Sequence, residues 1–385
     1  MAFIAPLLVL LVQNDDFSKT WQAVSEAITT RYYARETRRS EMNSLLAEYG
    51  PKAKAAQTRE EFDRIVNAMI HDFKDSHFAF LTDSDQGYYL MDGLARPQSS
   101  RAMPEIGAWF VPAADGYTVT MVLEGSEAER AGLRKGDLIT LIDGHPFTPV
   151  DSLRDKVNRS VTLTVRRGDR TLTPKVSVSD ERCLEMFLQA SRDSAKVIER
   201  NGRKIGYFHL WTQSSPAFQQ ALDGAVLGKL RDTDAFILDM RDGFGGRPNG
   251  YGDAFFRPES WIEYKWNPRS GTKELFGYQR PLVLLINGGS RSAKEVLSYI
   301  FKKSKRATLI GQTTAGNVLG TFPIRINDWS YIEIPIEDVI TDGKRLEGRG
   351  VTPDVAVPSE FDQDGHDMDL QAALDRLANV PAAHS

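Results

Sequence analysis

The sequence predicts a multi-domain α/β protein with α+β character, and three observations carry that prediction. From about residue 16 to 72, apolar residues recur at three- and four-residue steps, the period of helices with one buried face. From about Glu105 to Val178, apolar and polar residues alternate as in short half-buried strands. From about Arg203 onward, apolar strand-like runs alternate with helical patterns, the order that builds a layered α/β domain. A chain of 385 residues is long enough for two or three such domains and for substantial cores.

The elements follow in chain order. Phe17, Trp21, Val24 and Ile28 form one helical stripe, and Phe62, Ile65, Met69 and Ile70 another, with Gly50-Pro51 expected to break the segment between them. Strands are predicted at Tyr117 to Val122, Leu138 to Ile142 and Val161 to Val165, with turns at Asp143-Gly144 and Arg167-Gly168-Asp169. The α/β part is read as strands Ile205 to Leu210 and Ala235 to Met240 with a helix Ala217 to Leu230 between them. The apolar run Pro281 to Ile286 predicts a further strand, and Ala293 to Lys303 a helix. Strands at Leu309-Ile310 and Tyr331 to Ile336 and a closing helix over Asp367 to Ala378 complete the list, with frayed last residues. No internal repeat and no low-complexity tract is present.

Composition narrows the function classes. A hydrophobic fraction of 41% and a charged fraction of 26% are ordinary for a soluble globular protein. Net charge is −4 with no long basic block, so nothing points to nucleic acid. The single cysteine, Cys183, excludes an intramolecular disulfide, a thiolate zinc cluster and a Cys-x-x-Cys redox pair; its neighbours Leu184, Met186 and Phe187 favour a buried structural thiol over a catalytic one. Phe3 to Val12 is too short to span a bilayer. It is similar to the apolar part of a secretion signal, but no Lys or Arg precedes it and no clear small-x-small cleavage site follows, so an exported (periplasmic) and a cytoplasmic location both stay open. No other segment could be a transmembrane helix.

The stretch richest in chemical meaning is Asn287-Gly288-Gly289-Ser290-Arg291-Ser292-Ala293-Lys294-Glu295. A serine where a strand turns into a helix sits at the positive end of the helix dipole and can serve as a nucleophile. The same spacing also suits Ser290 or Ser292 as a plain cap, because Ser-x-x-Glu is a capping box.

What decides between the two is the company these residues keep. Gly125-Ser126-Glu127-Ala128-Glu129-Arg130-Ala131-Gly132-Leu133-Arg134-Lys135-Gly136-Asp137-Leu138-Ile139, followed by Ile142-Asp143-Gly144, resembles the core of a PDZ domain. Asp239-Met240-Arg241-Asp242-Gly243-Phe244-Gly245-Gly246 resembles the Asp-Leu-Arg-x-Asn-x-Gly-Gly element of the C-terminal processing (tail-specific) proteases. Ser292-Ala293-Lys294-Glu295, Gly311 to Gly316, Glu347 to Asp354 and, upstream, Asp75-Ser76-His77-Phe78 resemble the same family in the same order. The resemblance covers nearly the whole chain after residue 16. It implies a PDZ β-domain, a crotonase/ClpP-like catalytic α/β domain and an N-terminal helical region, divided here as 14–100 (helical), 101–180 (PDZ-like), 181–360 (catalytic) and 361–385 (closing helix and tail).

The chain departs from the commonest pattern of that family at one decisive place. Most members use a Ser–Lys dyad, and their lysine falls where this chain has Asn317, whose amide cannot take a serine proton at neutral pH. Lys294 shares the helix with Ser292 and points elsewhere, while Lys302 and Lys303 lie more than two turns down it. The tricorn-type branch of the superfamily uses a serine nucleophile, a histidine base, a second serine beside that histidine and a glutamate. The matching residues here are Ser292, His77, Ser76 and Glu347, with Ser76 linked to Glu347 expected to fix the imidazole's tautomer and orientation. Against these roles stand a structural hydrogen bond for His77 and a surface-loop carboxylate for Glu347. The resemblance also implies an oxyanion hole from the N–H groups of Gly245 and Ala293, although Gly243 stands where an asparagine is usual and the glycines equally suit a tight turn. Asp239 and Arg241 read as a charge-assisted pair that braces this loop.

A PDZ module captures extended C-terminal peptides by strand addition. Ile106, Gly107, Ala108 and Trp109 are similar to its carboxylate-binding loop and apolar pocket; the alternative is a degraded module that only braces the protease. The expectation is therefore a PDZ-containing serine endopeptidase acting on unfolded or C-terminally presented polypeptides, with no metal and no organic cofactor and with a homo-oligomer possible. Two rivals remain: an inactive homologue that binds peptides or hydrophobic ligands, and a crotonase-like enzyme acting on acyl thioesters.

Overall fold

A computed structural model of the chain describes residues 16–362 and 364–379. Phe3 to Val12 lies outside the described residues. Among the described residues, no helix is long and apolar enough to cross a membrane.

Three helices, Phe17–Arg31, Arg39–Lys54 and Arg59–Phe73, pack their apolar stripes together, burying Trp21, Val24, Ile28, Phe62, Val66, Met69 and Phe73. The second helix does not break at Gly50-Pro51, as the dipeptide suggests, but runs through it to Lys54. Proline there forfeits one hydrogen bond near the helix end, and Gly50 lets the helix approach Trp21, whose indole Nε1 would lie 3.1 Å from an added Cβ. The helical core is closed from the far end of the chain by Trp329, Ile332 and Ile334. Trp329 directly precedes, and Ile332 and Ile334 belong to, the strand Ser330–Glu337, which pairs antiparallel with Ala79–Thr82, so the chain just after His77 is in a sheet with a strand about 250 residues away.

The seven-stranded sheet of residues 108–177 is antiparallel, with a core of Ile106, Phe110, Val119, Ile139, Leu163 and Val165. Its edge strand is Ala108–Ala113. The α/β part is a six-stranded sheet in the order Lys196–Arg200, Arg203–His209, Ala235–Asp239, Leu282–Ile286, Thr308–Gly311, Val355–Ala356. All its pairings but the first are parallel. Ala235–Asp239 and Leu282–Ile286 are buried at every position, the mark of strands covered on both faces. Cys183–Ser194, Pro216–Gly224 and Ala293–Lys303 contribute Phe187, Phe218, Leu222, Leu297 and Phe301 to the large core, while Met368–Ala378 covers Ile205, Ile237 and Leu285 with Ala373, Leu374 and Leu377. Cys183 is buried in that large core, and burial pushes its thiol well above the ordinary range. The carboxyl ends of the parallel strands, where ligand crevices form in open α/β sheets, carry the two loops singled out in the sequence, Asp239–Gly246 and Asn287–Arg291.

Candidate active site

The two serines of the strand-to-helix turn have different jobs. Ser290 is fully buried: its Oγ accepts the Asn287 N–H (3.0 Å) and donates to the Met240 carbonyl (2.8 Å), tying the turn to the neighbouring strand. Ser292 is the N-cap of Ala293–Lys303, with φ 58° and ψ −130°, a region that costs a residue with a Cβ of order 1–3 kcal/mol. Its N–H is held by the Asn317 carbonyl at 2.7 Å and by the Glu295 carboxylate at 3.2 Å. Glu295 also accepts the Thr314 hydroxyl (2.6 Å) and the N–H groups of Gly316 (2.7 Å) and Asn317 (2.9 Å). Burial pushes its carboxyl above the ordinary range even though these bonds pull it down. One buried acid thus fixes the serine turn against the loop that carries Asn317.

Gly245 lies against the serine. A Cβ added there would stand 2.6 Å from Ser292 Oγ and 2.9 Å from the Ala293 nitrogen, so only glycine lets this backbone meet both the hydroxyl and the first amide of the helix. Gly243 has φ 70°, and a Cβ there would lie 2.1 Å from the Trp211 carbonyl, which excludes the asparagine side chain usual at this place without a shift of the loop. The loop is braced from beneath. Arg241 grips Asp239 (Nη2 to Oδ2, 2.6 Å) and Asp367 (2.7 Å), which holds the Asp239 carboxyl far below the usual range against the cost of its burial. Lys294 is fully buried and donates to the carbonyls of Asp242 (2.7 Å) and Arg241 (3.3 Å). Burial lowers its pKa to about 7 despite Asp239 and Asp242 nearby. Lys302 and Lys303 are spent elsewhere, on the Thr352 carbonyl and Asp342.

His77 has φ 53° and is half-buried. Among the described residues it takes part in no hydrogen bond, and the Oγ of its neighbour Ser76 is buried without a partner. The Ser76–Glu347 link that the family resemblance implies is not formed: Glu347 Oε2 accepts the N–H groups of Val318 (2.5 Å) and Leu319 (3.2 Å) instead. The reason is local, since the chain just after Asn317 brings two backbone donors to the carboxylate. Burial holds the His77 pKa below its ordinary value; Glu333 opposes this, Arg291 reinforces it and Glu347 opposes it less. The structure therefore places Ser292, Gly245 and Ala293 in contact, and His77 in the field of Glu333, Arg291 and Glu347.

The loop expected to take a peptide carboxylate is closed in this state. Ile106 and Ala108 are buried, and the Gly107 N–H is hydrogen-bonded by the buried Glu105 carboxylate, which Ser179 also holds. The edge of Ala108–Ala113 is capped: the Gln86 carboxamide donates to the Ala108 carbonyl (2.9 Å) and accepts the Phe110 N–H (3.0 Å), as one peptide unit of an added strand would. Trp109 does not line an open pocket. Its ring packs on Phe187 and, at 5.2 Å, on Phe244 of the Asp239–Gly246 loop, and the Arg291 guanidinium lies over the Phe244 ring, 4.8 Å from its centroid. Further ties bind the two parts: Glu124 holds His209 Nδ1 (2.7 Å) and Trp211 Nε1 (2.6 Å), and Lys135 bridges Asp242 (2.7 Å) and Glu360 (2.8 Å). A cleft of about 810 Å³ lies at this seam, beside Glu124, Lys135, His209 and Asp242, behind the loop rather than over Ser292.

Sequence reasoning missed Gln86, Glu333 and the bracing role of Lys294. Glu333 did leave a signal, a lone acid inside Tyr331-Ile332-Glu333-Ile334. Lys294 and Gln86 left none, because their partners are backbone groups brought in by other segments.

Residues 204–357 match the model of peptidase family S41, and residues 118–167 match a PDZ domain. A carboxyl-terminal-processing protease of Synechocystis is 28% identical over 294 residues, 71% of this chain and 68% of that protein. The chloroplastic carboxyl-terminal-processing peptidase 2 of Arabidopsis thaliana is 26% identical over 382 residues, 92% of this chain and 71% of that protein. Among solved structures, the photosystem II D1 C-terminal processing protease superposes with a TM-score of 0.56 at 18% identity, over 96% of this chain and 98% of that one. The tricorn protease does so with a TM-score of 0.56 at 19% identity, over 94% of this chain but only 36% of that one. These last two likenesses are of fold.

Proposed function

We propose that this chain, which belongs to peptidase family S41 and carries a PDZ domain, is a serine endopeptidase in which Ser292 attacks the peptide carbonyl and His77 takes the serine proton. The observation that carries the reading is the contact of Gly245 with both Ser292 Oγ and the Ala293 amide. A carbonyl carbon on Ser292 Oγ has its oxygen beside two backbone N–H groups, and such preorganised donors stabilise the charge that develops there. Proton return from His77 expels the amine, and water repeats the sequence on the acyl-enzyme. The lowered His77 pKa keeps the imidazole neutral, and so able to accept a proton, at neutral pH. In the resting state His77 is not yet bonded to the serine, as is common before substrate seats the catalytic groups.

The substrate is an extended polypeptide, and the edge strand Ala108–Ala113 is where a free C-terminus would add, once Gln86 withdraws. The test is cleavage of unfolded casein and of peptides with free or amidated C-termini, read by mass spectrometry. Loss of cleavage in both Ser292→Ala and His77→Ala is expected, with a preference for free carboxylates. Loss in Ser292→Ala alone would mean that another group is the base. No cleavage by the unaltered, folded chain between about pH 5 and 9 would turn the reading to a peptide-binding homologue.

A further inference from the structure

Glu347 is committed to two backbone amides and Ser76 has no partner, so the acid implied by the family pattern does not reach the imidazole in this structure. A different acid stands where one is needed. Glu333 is in the middle of Ser330–Glu337, directly opposite Ala79 in the antiparallel pair, and Ala79 is two residues beyond His77. Directly opposed residues project to the same face of a sheet. Ile332 and Ile334, on the other face, are buried in the helical core, so Glu333 projects away from that core. It is half-buried, forms no ion pair among the described residues, and is anchored by the Thr321 hydroxyl at 3.2 Å. A partly desolvated carboxylate with one neutral anchor is available to a cation that forms transiently beside it.

We propose that Glu333 is the positioning residue for His77: its carboxylate, steadied by Thr321, orients the imidazole toward Ser292 and stabilises the imidazolium formed when the serine proton arrives. The inference rests on the reading of His77 as the base. The charged groups whose fields act on His77 are Glu333, Arg291 and Glu347, Glu333 most strongly. The charge of Glu333 also acts on Arg291, the residue before Ser292.

The test uses a fluorophosphonate, which reports the serine and its base without a peptide. The Ser292 Oγ–phosphorus bond forms, fluoride leaves, and the serine proton passes to His77. Labelling rates followed by intact mass across pH, with the His77 ring titrated by NMR, are compared for the unaltered chain, Glu333→Gln, Glu333→Asp, Glu347→Gln and His77→Ala. Glu333→Gln, which keeps the shape and can still accept from Thr321, is expected to slow labelling by about ten-fold or more. It should also move both the acid limb and the His77 titration to lower pH, because a negative charge that favours the imidazolium is gone. Glu333→Asp should recover most of the rate, and Glu347→Gln should move the limb less than Glu333→Gln does. An unchanged rate and limb in Glu333→Gln, with labelling lost in His77→Ala, would overturn the inference alone; a limb moved by Glu347→Gln instead would do the same. Wild-type labelling of His77→Ala would sink the base reading itself. If Glu333→Gln does not fold, Thr321→Val removes only the anchor, and a slower reaction with the same direction of shift is the expected result.

Discussion

At the residue scale, the site shows how neighbours on a helix are put to unlike uses. Ser292, Lys294 and Glu295 are consecutive or nearly so, yet one abuts Gly245, one props the Asp239–Gly246 loop and one clamps the serine turn. Lys294 is not a base, because its Nζ is spent on two carbonyls. Lys294→Met should leave the Asp242 carbonyl without its donor and the Arg241 carbonyl with His209 Nε2 alone, at of order 1–3 kcal/mol. The expected outcome is a lower melting temperature and a fall in kcat with little change in KM, since a slack loop weakens the transition state more than substrate binding. The strain at Ser292 makes a second prediction. Ser292→Ala and Ser292→Gly are both expected to lose cleavage, but only glycine relieves the positive φ, so the glycine variant should be more stable by about 1 kcal/mol. Denaturant melts of the two proteins check this, and equal midpoints would mean that the turn stores no strain.

At the scale of elements, most strands and helices were legible because their periods were strong. Leu138–Ile142 and Ala293–Lys303 fall where alternation and three-four spacing put them. The helices Gln86–Ala95 and Cys183–Ser194 and the hairpin Trp261–Leu275 were not read. Gln86–Ala95 is buried at seven positions, including Gln86, Asp92 and Gly93, so its pattern has no clean polar face to mark the period. That helix brings Gln86 to the edge strand of the PDZ part. Gln86→Ala vacates one carbonyl and one N–H on that edge, and a peptide with a free C-terminus no longer has to displace the carboxamide. Its affinity should rise by about two- to ten-fold, measured by titration calorimetry on Ser292→Ala to prevent turnover. Weaker or unaltered binding would show that Gln86 supports the groove rather than competes for it.

At the scale of the whole molecule, the PDZ part is seated on the α/β part by groups that touch the Asp239–Gly246 loop or its flanks: Lys135 on Asp242, Trp109 on Phe244, and Glu124 on His209, whose Nε2 lies 3.1 Å from the Arg241 carbonyl. Burial disfavours the charged form of His209, but Glu124 and Asp239 together outweigh it and the pKa is raised. A raised folded-state value means that this pair stabilises fully below the unfolded histidine value of about 6.5 and that the contribution is lost as pH rises through the folded value. The gap in melting temperature between the unaltered chain and Glu124→Gln should therefore be widest near about pH 6 and narrow toward alkaline pH. Calorimetry across that range decides it, and a gap that widens with pH would contradict the assignment.

The sequence by itself determined the α/β layering, the PDZ module, the family and the position of Ser292 at a strand-to-helix turn, because each is written in residues close together along the chain. The tertiary structure alone shows that Glu347 is committed to the Val318 and Leu319 amides, what Lys294 holds, and what covers the Ala108–Ala113 edge. Those contacts join segments far apart in sequence, and their identity follows from sheet register and helix packing, which set which side chains meet but leave no periodic trace in either partner.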